Sequence, residues 1–129
     1  MAEDGETIDL IEVKTFLREF AADRDWEQFH TPKNLAMALA AEAGELLEIF
    51  QWLTPEESDQ VGSDEELQRA TEDELADIVQ YAIRMSDVLG INLNDALWRK
   101  LRENSTRYPA ALSKGNATKY PDLTKDDTT

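Results

Sequence analysis

Apolar residues recur every three to four positions along most of the chain, the period of a helix with one buried face. Ile8, Ile11, Leu17 and Phe20 predict a first helix from about Asp9 to Asp23, capped by Thr7 or Asp9. A connection over residues 24–31 holds Trp26, Phe29 and His30. Thr31 as N-cap and Pro32 at the first helical position open a second helix, whose stripe is Leu35, Leu39, Leu46, Ile49 and Leu53 and whose end falls near Leu53. Thr54 to Glu57 reads as a capping box opening a short turn, and Gly62 breaks the chain. Ser63, with Glu66 completing a second capping box, starts a third helix that carries Leu67, Ala70, Ile78, Tyr81 and Met85 and stops at Gly90. A fourth begins near Asn92 or Asn94, carries Leu93, Leu97 and Leu101, and ends before Pro109. Residues 109–129, rich in Pro, Lys, Thr and Asp, predict an irregular arm with a disordered end. There is no alternating strand pattern, repeat or long linker. The expectation is an all-α, four-helix bundle-like fold in a single domain over 1–129, with a helical core of about 8–108.

Two acidic pairs break this pattern. Glu42 and Glu45 lie on or beside the second apolar stripe, and Glu74 and Asp77 lie within the third. Each pair has i, i+3 spacing, which on a helix places the Cβ atoms about 5–6 Å apart on one side. A short connection makes the two helices antiparallel neighbours. The pairs lie at similar distances from the turn, so all four carboxylates are expected at one level of a helix–helix groove. Buried unpaired carboxylates are costly and repel one another, and hard cations bound through oxygen resolve that conflict. Either pair alone is a common feature of solvated helices; the coincidence of two level pairs on apolar stripes is what points to metal. Glu48 turns away from the shared face. Glu27 and His30 have the spacing of half a di-iron carboxylate site, but that site needs a second such motif and the chain has one His.

Composition narrows the classes. A chain of 129 residues with 41% hydrophobic content supports a modest core, so association between subunits is expected. The absence of Cys excludes disulfides and thiolate chemistry. No apolar run long enough for a membrane span or a secretory leader is present, which leaves the cytoplasm as the expected compartment. The formal net charge of −15 argues against a nucleic acid polymer as partner and is equally suited to solubility or salt tolerance. Residues 99–119 depart from it: Arg99, Lys100, Arg102, Arg107, Lys114 and Lys119 face one acid, Glu103, a net of +5 that leaves −20 on the rest. Such a segment is a candidate phosphate contact, or a helix C-terminus furnished with cations that suit its dipole.

The run DWEQFHTPKNLAMALAAEAGELLEIFQW (residues 25–52), followed by EDELADIVQY (residues 72–81), resembles the MazG-like all-α nucleoside triphosphate pyrophosphatases, and among them the dCTP pyrophosphatase branch. The likeness spans about residues 8–123 and includes RYP (residues 107–109) and KYP (residues 119–121). The broad family often has a second Glu before the first motif, where this chain has Ala41; the dCTP branch tends to have a small residue there.

The resemblance implies Mg²⁺, or Mn²⁺ in its place, held by Glu42, Glu45, Glu74 and Asp77, which are also the implied catalytic residues. It implies cleavage of a (d)NTP between its α and β phosphates, giving a monophosphate and pyrophosphate. Beside the resemblance, the chemistry asks for a carboxylate such as Glu45 to orient the water, without fixing which of the four does so. By the same resemblance His30, Trp26, Trp52 and Tyr81 would line the base and sugar. On the charge of their segment, Lys100, Arg107 and Lys114 fit the β and γ phosphates, with Asn104 as an additional hydrogen-bond donor and Tyr108 among the substrate contacts. A homotetramer built from dimers is the implied assembly. Two alternatives stand beside this: a hydrolase of the same fold acting on dUTP, phosphoribosyl-ATP or modified nucleotides, and a non-enzymatic acidic helical module that binds a partner protein.

Overall fold

The computed structural model describes residues 6–119, and every regular element among them is helical, as expected. The elements are α1 (Leu10–Asp23), a 3-10 turn (Glu27–Phe29), α2 (Pro32–Phe50), α3 (Pro55–Ser58), a second 3-10 turn (Val61–Ser63), α4 (Glu65–Val88), α5 (Leu93–Arg107) and α6 (Ala110–Ser113).

Most helix ends follow from local chemistry. Asp9, not Thr7, caps α1, its carboxylate accepting from the backbone N–H of Ile11 and Glu12. Thr31 caps α2 with Pro32 in the first turn, and Thr54 and Glu57 form the expected reciprocal box at α3. Gly90 closes α4 at φ +66°, a conformation that glycine adopts at no steric cost. Asn92 caps α5.

Three boundaries differ from expectation. Helix α2 stops at Phe50, because Pro55 forces Thr54 into an extended conformation and the chain must leave the helix beforehand. Ser63 does not cap α4; it ends the 3-10 turn, and the Asp64 carboxylate accepts from Glu66 and Leu67 N–H instead. The arm beginning at Pro109 opens with α6 rather than irregular chain. The expectation of a disordered end concerns residues 120–129, outside the described residues.

The described chain forms two compact units that divide between Ile91 and Asn92. In the first, α4 is the hub: α1, α2 and the second 3-10 turn all pack on it. Its core is Ala21, Leu35, Val61 and Ile83. The expected stripe of α2 is buried or half-buried at every position, and so is that of α4. On α1 the inner face is Val13, Leu17, Phe20 and Ala21, whereas Ile8 and Ile11 are exposed. Ile8 precedes the cap, and Ile11 lies off the Val13–Leu17–Ala21 row. The second unit carries α5 and α6.

Candidate active site

The middles of α2 and α4 carry the chemistry. Carboxylate oxygens of Glu42, Glu45 and Glu74 lie within 4.8 Å of one another. Glu42 and Glu74 are half-buried and Glu45 is exposed, so the group opens to solvent on one side. One oxygen of Glu42 (Oε2) and one of Glu74 (Oε2) are buried and have no hydrogen-bond partner. Such orphaned acceptors are costly unless something fills them.

The electrostatics agree. The neighbouring Glu42 carboxylate, then burial, then the charge of Glu45 push the Glu74 carboxyl up to about 7. Three like charges on two packed helices are therefore relieved by a proton when no cation is present. A divalent cation suits the same donor set: hard oxygen ligands, two of them with an unused buried lone pair. Asp77, one turn beyond Glu74, is half-buried and accepts from Gln80 Nε2 at 3.4 Å. It does not join the group of three, so the structure gathers three of the four expected carboxylates.

Trp26 and His30 come together through the connection after α1. Asp25 adopts φ +53°, which Asp tolerates better than most residues, and its carbonyl and carboxylate both accept from Gln28 Nε2. This bend returns Trp26 N–H to the Ala21 carbonyl and sets the indole edge-on to Phe20 at 5.7 Å. Phe20 stacks on Phe16 at 6.2 Å and carries the Arg24 guanidinium 3.5 Å above its ring. His30 lies 6.4 Å from Trp26, again edge-on. Asn34 fastens the next turn, donating Nδ2 to the Phe29 carbonyl at 3.0 Å while its own N–H donates to Thr31 Oγ1.

Trp52 follows α2 and is 86% exposed, and Tyr81, one turn after Asp77, is half-buried. The remaining expected contacts lie in the second unit. Lys100 is exposed and donates to Glu103 at 3.4 Å, and Arg99 donates to the same carboxylate at 2.9 Å. These cations hold Glu103 below its ordinary range. Asn104 is exposed and its carbonyl accepts from Tyr108 N–H. Arg107 ends α5, and Lys114 follows α6.

The sequence reading passed over Arg84, which is 8% exposed and donates to His30 Nδ1 at 3.1 Å. Its signal was available. Arg84 lies three residues after Tyr81, inside the apolar stripe of α4, as unusual there as the acidic pairs.

Comparison with known proteins matches this architecture. The MazG-like family pattern covers residues 37–123. The bovine protein dCTP pyrophosphatase 1 is 42% identical over 114 residues, 88% of this chain and 68% of that protein. Its human counterpart is 40% identical over the same length, 88% of this chain and 67% of its own. The crystal structure of a pyrophosphatase from Archaeoglobus fulgidus superposes with a TM-score of 0.73 at 38% identity, covering 81% of this chain and 95% of that one. With its helical fold and a carboxylate group shared by two packed helices, this chain belongs to the MazG-like family.

Proposed function

We infer that this chain is a nucleoside triphosphate pyrophosphohydrolase that prefers dCTP and releases dCMP and pyrophosphate. The observation that carries this reading is the meeting of Glu42, Glu45 and Glu74 with two buried, unpartnered oxygens, in a chain 40–42% identical to proteins named dCTP pyrophosphatase 1.

The proposed cofactor is Mg²⁺, with Mn²⁺ as substitute. Glu42, Glu45 and Glu74 would hold it, with Asp77 as a further carboxylate. When bound, a metal supplies charge neutralisation for the triphosphate and a lowered pKa for water. Glu45, the most open of the three, accepts the proton of the attacking water. That water bonds to the α-phosphorus, the bond from α-phosphorus to the bridging oxygen breaks, and pyrophosphate leaves with that oxygen. Glu42 and Glu74 are the better-shielded anchors. Trp26, His30, Trp52 and Tyr81 contribute the contacts to base and sugar. An indole as exposed as Trp52 has its faces available for stacking, an interaction worth about 1–3 kcal/mol per base. Lys100, Asn104, Arg107, Tyr108 and Lys114 are assigned to the rest of the nucleotide on the charge of their segment and on the resemblance. No helix among the described residues is long and apolar enough to cross a membrane, and the proposed setting is the cytoplasmic dNTP pool.

A nucleotide panel tests the reading. With Mg²⁺, dCTP should release pyrophosphate faster than dTTP, dUTP or phosphoribosyl-ATP, and chelator should abolish the reaction. Faster turnover of another member of the panel would reassign the substrate, and no turnover of any would leave a helical binding module.

A further inference from the structure

Arg84 has no part in the reaction as set out above, yet it is a buried charge, which is costly unless it is paired. It is paired twice. Its Nε donates to His30 Nδ1 at 3.1 Å and its Nη1 to Asp87 Oδ2 at 3.3 Å. Asp87 is clamped in turn by Arg18 from α1, which donates Nε to Oδ2 at 3.0 Å and Nη2 to Oδ1 at 2.6 Å. The guanidinium fork of Arg18 holds Asp87 well below the usual carboxylate range, with smaller help from the charges of Arg84 and Lys14. The series Arg18–Asp87–Arg84–His30 thus joins α1, α4 and the end of the first 3-10 turn, two residues before α2.

The chemistry of this series sets the state of the imidazole. A guanidinium has only donors, so the Nδ1 that receives Arg84 presents its lone pair, and the ring proton sits on Nε2. The Trp26 ring flanks the imidazole, the two centroids 6.4 Å apart and the planes inclined at 62°.

We propose that Arg84 is a positioning residue for substrate recognition: it fixes His30 as a neutral Nε2–H donor toward a hydrogen-bond acceptor on the nucleoside, and Asp87 and Arg18 hold Arg84 in place to do so. This rests on the reading of His30 as a substrate contact. Burial, and then the adjacent Arg84 charge, hold the imidazole below its usual range, in keeping with the geometry. A donor fixed in this way favours ligands with an acceptor at that point, because a ligand donor there would leave both groups unpaired.

His30 is the one histidine of the chain, so a two-bond ¹H–¹⁵N correlation spectrum reads this ring alone. In the intact protein it should show the Nε2–H tautomer and a titration below that of a free histidine. Arg84→Met should mix the tautomers, raise the titration midpoint, and raise the KM for dCTP roughly tenfold, the scale of one lost hydrogen bond in a defined geometry, with a smaller change in kcat. Arg84→Lys keeps a charge without the planar donor; it should move each readout the same way by less, and it serves where the Met variant does not fold. An unchanged tautomer and midpoint in both variants would overturn the proposal, and so would a changed ring with an unchanged KM. Loss of the pyrophosphatase reading itself would show separately, as no turnover by the unaltered protein, while the spectrum remained readable.

Discussion

Glu74 is where the chemistry of the site is most exposed to measurement. Its carboxyl titrates near 4.5 in an unfolded chain and at about 7 in the fold. Between those values the folded state binds more protons, so metal-free protein should lose stability as pH rises from about 4.5 to 7, with the contribution of this group fully present below that window. Thermal melts in chelator should show that fall, and Glu74→Gln should reduce it. Added Mg²⁺ should raise Tm most at the upper end, where the carboxylates are ionised; a Mg²⁺ effect that is equal across the window would separate Glu74 from the metal. Glu45→Gln should fold and melt like the parent yet lose about 10²–10⁴-fold in kcat, the usual scale for a general base. Trp52→Ala should narrow the dCTP-over-dTTP ratio of kcat/KM with little effect on folding, since that side chain is 86% exposed. Much of this site was legible in the sequence, because acids at i, i+3 on an apolar stripe are conspicuous. Arg84 meets the same test, a charge on a buried stripe with Asp87 three residues on, but opposite charges at that spacing also read as an ordinary ion pair on a helix surface. Its partners lie 54 positions away at His30 and, beyond Asp87, on α1 at Arg18, distances that no local pattern spans.

At the scale of the helices, caps and core divide the work. Asp9 satisfies two N–H groups at the start of α1, and Asp9→Ala should cost about 1 kcal/mol in denaturant unfolding. Leu35, 1% exposed where α2 is buried, should cost about 2–5 kcal/mol as Leu35→Ala. A loss below that range would mean that the α2–α4 contact relaxes around the cavity. Starts and stops were read well where a single residue decides them: Pro32 after Thr31, the Thr54–Glu57 box, and Gly90. They were read less well where two candidates compete. Ser63 and Asp64 both offer oxygen, but a carboxylate suits the positive end of α4 better than a hydroxyl does, and the 3-10 turn had already claimed Ser63. Periodicity also credited α1 with Ile8 and Ile11, since apolar spacing alone does not say which of two rows meets α4. In the arm, Ala110 to Ser113 closes one helical turn behind Pro109, too short a run to show a period.

For the whole molecule, the described residues of the first unit include four buried hydrophobic ones and leave Ile11, Phe16, Met37, Leu47, Leu75 and Val79 exposed. The second leaves Leu97, Trp98 and Leu101 exposed. Scattered apolar residues are ordinary on a surface, but this many against so small a core argue for further burial between copies. We expect a homotetramer in sedimentation velocity at micromolar protein, and a stable, active monomer would contradict that assembly. The central claim is narrower and concerns the bond that is cut. Chromatography of the earliest products from dCTP and Mg²⁺ decides it. Cleavage between the α and β phosphates predicts dCMP and pyrophosphate in equal amounts from the first time point, with no dCDP; accumulation of dCDP with orthophosphate would place the cut at the γ-phosphate and contradict the account.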